Sequence, residues 1–413
     1  MTQQIDIHHD ILNNSQRPFF GLNPIDPEWD EVEIKPGYTL FFDGNVVKKV
    51  ISFLSYRAFD EYREYDTELP TRERQFVLPK TAKGKEKKLN YTSVNAVMPS
   101  GVEINLKTGE YSSLWVGNCR NAISLPLPEG AKPATIEEFQ QWRDAYIADS
   151  PLDHFEKVDR MRNLPHRTIR YFNGDIFRFD IGREHYGFGI IIGQIRKMQK
   201  DGIIPERHAF NFLMTVPLLV RYYQIKTKNR DLAMEEITSS PLLPTVIMSD
   251  ASLLWGSVDI VGSKQLQAED IHFPMNAGRP IPGSGDYFCF CWGTGSIVTE
   301  DKNKIPSIRN QKYSLGLDFF IHGVSLGIDD AMVERAMRGE SPRTNDLSHP
   351  DYASFKEKVC ELFELPLDIT FDEFNSKHGG MTRQQYADYA NKYLRTEKTI
   401  TANKSTHLSK KKG

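Results

Sequence analysis

A two-residue alternation over residues 174–192 constrains this chain more than any other feature. In Gly174–Asp175–Ile176–Phe177–Arg178–Phe179–Asp180, one face takes Ile176, Arg178 and Asp180. The other face takes Phe177, Phe179 and Ile181, which is the period of an extended strand. Gly182–Arg183–Glu184–His185 reads as a polar turn, and Tyr186–Gly187–Phe188–Gly189–Ile190–Ile191–Ile192 as an apolar return strand. The pattern predicts an antiparallel hairpin. Gly187 and Gly189 mark places where a neighbour packs too closely for a side chain, or a bulge.

Further strands are expected at about 216–226, 245–248, 257–261, 286–292 and 295–298, and the punctuation by Gly, Pro and Asp predicts one curled, barrel-like, mainly antiparallel sheet. Residues 1–35 carry little pattern, and Trp29 is the expected anchor of the segment onto a core. Tyr38–Asp43 reads as a strand, with a turn at Asp43–Gly44–Asn45. Val46–Leu54 fits either a strand or the start of a helix, and Val102–Leu106 with Tyr111–Val116 reads as another hairpin. Pro126–Pro133 is a linker by composition. Thr135 with Glu138 is a capping box, opening a helix whose Phe139, Trp142, Arg143 and Tyr146 form one stripe. Residues 150–164 continue helically after Pro151. Past 326 the chain turns helical: Asp329 or Asp330 caps Ala331–Met337, Tyr352–Phe363 is amphipathic, and Thr382 with Gln385 opens a last helix bearing Tyr386, Tyr389 and Tyr393.

The expected class is therefore α+β, with a central curled, mostly antiparallel sheet domain, a β-rich N-terminal domain and a helical C-terminal region. The expected divisions are 1–128, a linker and helix over 129–164, a central domain over 165–325, helices over 326–400 and a disordered tail over 401–413.

Charge is nearly balanced, with 52 basic and 55 acidic residues and a net of −3. Residues 1–164 hold 20 basic and 25 acidic, and residues 165–325 hold 18 and 16. Neither balance suits a nucleic-acid binder or a polyanion mimic. The basic run Lys80–Lys88 reads as a solvated hairpin loop. The longest apolar runs are too short to span a bilayer. The N-terminus lacks the basic start and apolar core of a signal peptide, and 4 cysteines in such a chain make no disulfide framework. Together these favour the cytoplasm.

No residue cluster spells out a reaction. Cys289–Phe290–Cys291 has a spacing of one, in a strand, where alternation puts both thiols on one face and Phe288, Phe290 and Trp292 on the other. Core packing is the expectation there, with no bound metal. The histidines show no ligand spacing, and nucleophile elbows and phosphate loops are absent. Asp175, Asp180, Asp250 and Asp259 could serve acid–base chemistry. The competing reading is that Asp175 and Asp250 close turns through their side chains. Trp255 and Trp292 each precede a glycine and read as core residues or as partner-facing anchors.

In order and spacing, Gly174, Asp175, Phe177, Tyr186, Gly187, Gly189, Asp250, Gly256, Gly262, Trp292 and Gly293 resemble the immunity protein 26 family, over about residues 165–325. Ser257–Val258 departs from it, standing where an Arg–Trp-like pair is expected. The resemblance implies an immunity protein of a bacterial polymorphic toxin system, which binds a cognate toxin domain and blocks it. Such a protein needs no cofactor, no catalytic residue, no nucleic acid and no membrane. His185, Tyr186, Asp250 and Trp255 are the candidate partner-binding residues. Two alternatives stand beside this reading. One is a metal-dependent hydrolase of phosphotriester-like substrates, an activity associated with the same group. The other is a regulatory binding module without a toxin partner.

Overall fold

A computed structural model describes residues 11–78, 80–97, 101–128, 131–165, 169–254, 258–278, 287–300, 325, 328–341 and 346–395. About 27% of the chain is helix and 31% strand, in antiparallel sheets with a helical C-terminal region, so the α+β class holds. Two compact units divide the described residues: those up to 165 with 182–184 form the first, and 169–181, 185–254 and those between 258 and 395 form the second.

In the first unit, β1 (Asp30–Lys35), β2 (Tyr38–Asp43), β3 (Val46–Ser55), β4 (Asp60–Arg72), β5 (Phe76–Val77), β6 (Lys87–Lys88), β7 (Val102–Lys107), β8 (Ser113–Asn118) and β9 (Ile123–Ser124) make one sheet. Its main path runs β1-β2-β3-β4-β7-β8-β9, while β5 pairs with β4 and β6. Val46–Leu54, ambiguous in sequence, is extended because it pairs along both edges, with β2 and β4. The basic run at 80–88 is largely the loop of the short β5–β6 hairpin. After α1 (Tyr91–Asn95) come α2 (Ile136–Ala148) and α3 (His154–Asn163). Thr135 caps α2 by accepting the Glu138 amide, as its spacing predicts. Phe139, Tyr146, Val158 and Met161 pack with Phe20, Tyr62 and Ile104 in one core. Residues 11–22, patternless in sequence, supply Ile11, Leu12 and Leu22 to the same core.

β4 carries buried charge. Glu64 Oε1 accepts Arg17 Nε at 2.8 Å and Lys49 Nζ at 2.5 Å, and Lys49 Nζ also reaches Asp66 Oδ1 at 2.6 Å. Tyr62 donates its hydroxyl to Glu64 Oε2 at 2.6 Å. Burial pulls the Glu64 carboxyl upward, but Lys49 and Arg17 outweigh it and hold it at about 2.

In the second unit, β10 (Asp175–Ile181) and β11 (His185–Gln194) form the expected hairpin, with Ile181 opposite His185 and Phe177 opposite Gly189. His185, placed in the turn by the sequence reading, is the first residue of β11. After α4 (Ile195–Lys200) come β12 (Pro217–Tyr222), α5 (Met234–Ser239), β13 (Val246–Ser249), α6 (Ala251–Leu254) and β14 (Asp259–Ser263). The five strands run β13-β12-β11-β10-β14. β15 (Met275–Gly278), β16 (Phe288–Trp292) and β17 (Gly295–Thr299) form a separate three-stranded sheet. The expectation of a single barrel-like sheet is thus corrected for these three strands. β16 is apolar on both faces and needs cover on both sides. Cys289 and Cys291 face the core of the larger sheet, while Phe288 and Phe290 face a second core with Phe355, Val359 and Phe374.

Helices from the C-terminal part cover the sheets: α7 (Asp330–Met337) and α10 (Arg383–Asn391) pack on the larger one, and α8 (Ala353–Leu362) and α9 (Phe371–Lys377) on the three-stranded one. Ile176, Phe188, Ile190 and Leu219 share a core with Tyr386, Ala387 and Ala390 of α10. Phe177, Phe179, Ile191 and Val220 share another with Met332 and Val333 of α7. Cover on both faces explains why Gly187–Gly193 is apolar without alternation. Among the described residues, no helix is long and apolar enough to cross a membrane.

Candidate functional site

The face of β10 that carries Ile176 becomes polar toward the hairpin end. Arg178 lies opposite Phe188 of β11 and Asp259 of β14, and Asp180 lies opposite Tyr186. The Arg178 guanidinium donates to Asp259 Oδ2 at 2.9 Å, to the Arg230 carbonyl at 2.9 Å and to Asp231 Oδ1 at 3.3 Å. It also lies 5.7 Å from the centroid of the Tyr186 ring. Tyr186 is fixed by backbone hydrogen bonds in both directions with Thr227. These contacts hold an almost buried cation in place between two carboxylates and a ring.

Asp250 stands at the opposite end of the strands. It follows β13, whose Ser249 pairs with Pro217, beside the pairing of Leu218 with Gln194. About eight residues of strand separate Tyr186 from Gln194, on the order of 26 Å. Asp250 Oδ2 accepts the Tyr171 hydroxyl at 2.6 Å. Burial, then this hydrogen bond, pushes the Tyr171 phenol up. Of the sequence-read partner residues, the fold therefore joins His185 with Tyr186 and sets Asp250 apart. Trp255 lies outside the described residues. Tyr186 and Asp250 are both buried, while His185 is half-buried.

Asp175 does close a turn, since its Oδ2 accepts the Phe172 amide at 2.8 Å. It also meets Arg395 in a two-pronged pair at 3.0 and 2.7 Å. Burial still pushes the Asp175 carboxyl up against that pairing. Arg395, 220 residues away, carried no sequence signal. Arg178 with Asp259 was recoverable in principle, since both residues lie in the patterned blocks.

Cys289 and Cys291 are free thiols, and Cys289 donates to the Gly278 carbonyl at 3.3 Å. The hydrogen bond with Cys291, and then burial, push the Cys289 thiol well up, which disfavours a thiolate. Among the described residues, no group of three or more His, Cys, Asp or Glu could hold a metal ion. In the first unit, a cleft of about 170 Å³ is lined by Asn23, Asp66, Glu68, Asn118, Arg120 and Arg162 among others. Asp66 there is already engaged by Lys49 and by the Asn23 amide.

No curated protein and no solved structure matches this chain. The strands of the larger sheet, with Arg178, Tyr186, Asp231 and Asp259 at one end and Asp250 at the other, fall inside residues 172–279, and that segment matches the family model of immunity protein 26.

Proposed function

We propose that this protein neutralises a cognate bacterial toxin domain in the cytoplasm by binding it directly, with the segment 172–279 as the binding module. The observation that carries this reading is the family match over that segment. The site chemistry agrees with it. Arg178, Asp231 and Asp259 satisfy one another, as do Tyr171 and Asp250. Polar groups arranged this way stiffen a surface for recognition. His185 and Tyr186 belong to this binding module at one strand end, and Asp250 at the other.

Co-expression tests the proposal. On this reading the product of the adjacent gene is the toxin, and it arrests growth when produced alone. Growth is restored when this chain is produced with it, and the two proteins elute together on size exclusion. Equal growth arrest with and without the chain would overturn the reading.

A further inference from the structure

The segment joining α4 to β12 shows an unusual surface. Phe212, Met214 and Val216 are 37%, 79% and 40% exposed, while Leu213 between them is buried in the core. Three apolar side chains thus point outward at every second position. Thr215 sits among them with φ +62°, in the left-handed region. A β-branched residue there is strained.

Hydrogen bonds hold this segment in shape. The Arg196 guanidinium of α4 donates to the Thr215 carbonyl at 2.8 and 3.2 Å and to the Leu213 carbonyl at 3.3 Å. Its remaining bond goes to Gln199 Oε1 at 3.1 Å. Gln199 in turn donates to the Phe210 carbonyl at 2.9 Å. Asn211 donates to the carbonyls of Pro205 and Glu206, both at 2.8 Å. The Val216 carbonyl accepts the Asp250 amide at 3.1 Å, tying the strip to the Asp250 end of the sheet.

All of these Arg196 acceptors are neutral, so they orient its charge without cancelling it. Lys200 follows at i+4 on the same helix and is exposed. The result is an ordered apolar strip with a basic rim. The ordering cost of binding is already met in the free protein.

Resting on the immunity reading, we propose that Phe212, Met214 and Val216 form the apolar centre of the partner interface, with Arg196 and Lys200 as its basic rim. The occupant is a toxin domain that presents an apolar pocket edged by carboxylates. Among the described residues no carboxylate pairs with Arg196, and its charge beside the strip is the complementarity that selects such a partner. Exposed aromatic and Met side chains on a rigid base are the usual anchors of an interface.

The test measures affinity for the purified, catalytically inactivated toxin domain encoded beside this gene, using the full chain and two variants. Met214→Asp, at the most exposed position, leaves the melting temperature unchanged and weakens binding by roughly 30-fold or more. Lys200→Glu slows association and flattens its dependence on salt. Wild-type binding with Met214→Asp within threefold of it overturns this surface while the immunity reading stands. No binding by the wild type overturns both. A wild-type dimer that Met214→Asp dissociates, with toxin affinity intact, assigns the strip to a second copy and overturns the toxin as its occupant.

Discussion

The ring of Phe177 lies across Gly189, its antiparallel partner, so closely that a β-carbon on Gly189 would stand 2.5 Å from the ring's Cζ. Phe179 covers Gly187 in the same way, again at 2.5 Å. The hairpin thus stacks two aromatic rings onto backbone, and the close-packing reading of these glycines is correct. Gly189→Ala is expected to lower stability by about 1–3 kcal/mol through overpacking. Phe177→Leu in the same chain should recover part of that loss, because the two positions share one contact. Denaturant midpoints for the two single variants and the double variant check this, and additive losses would contradict it.

Glu64→Gln removes the carboxylate shared by Arg17 and Lys49, all three fully buried. Breaking such a pair leaves buried charge uncompensated, and the expected loss is about 3–5 kcal/mol. The readout is the denaturant transition of the first unit in the full chain. An unchanged midpoint would mean that the network is reorganised without cost.

His208 gives an acid sensitivity. Its Nδ1 accepts the Phe210 amide at 3.1 Å inside the second unit. Burial lowers its pKa to about 3. The folded state keeps the ring neutral, while the unfolded chain takes up a proton below about pH 6.5. Stability is therefore complete above pH 6.5 and falls as pH drops toward 3. His272, lowered to about 4 by burial, adds to the same window. His208 alone should cost about 2–3 kcal/mol at pH 4.5. Glu64, held at about 2, loses its contribution only lower, as pH falls from about 4.5 through 2. Melting temperatures between pH 7 and 4 should decline for the wild type and decline less for His208→Asn, which keeps an acceptor for Phe210.

Trp292 joins two cores. Its indole donates to the Phe273 carbonyl at 3.0 Å and meets the Phe371 ring edge-on at 5.4 Å. It also packs against the cluster that contains Phe288 and Phe290. Trp292→Ala should cost about 3 kcal/mol or somewhat more through lost burial and the cavity left behind. Thermal melts and toxin binding on one preparation decide its role. A variant that melts normally but fails to bind would move Trp292 from the core to the interface.

Local pattern was enough for several elements. The β10–β11 hairpin follows from alternation, and Thr135, Asp329 and Thr382 each accept the backbone amide three residues on, as their spacing predicts. Such features depend on residues a few positions apart, so the sequence alone determines them. β4 was illegible for the opposite reason. Asp60–Arg72 is rich in charge, and Glu64 is buried there only because Lys49 and Arg17 reach it from elsewhere. The candidate site divides in the same way. Asp175 closing its own turn was readable. Its pairing with Arg395, the separation of Asp250 from Tyr186, and the carbonyl clamp of Arg196 on Thr215 were not. Each depends on strand order or on partners distant in sequence, and only tertiary packing brings those groups within hydrogen-bonding range.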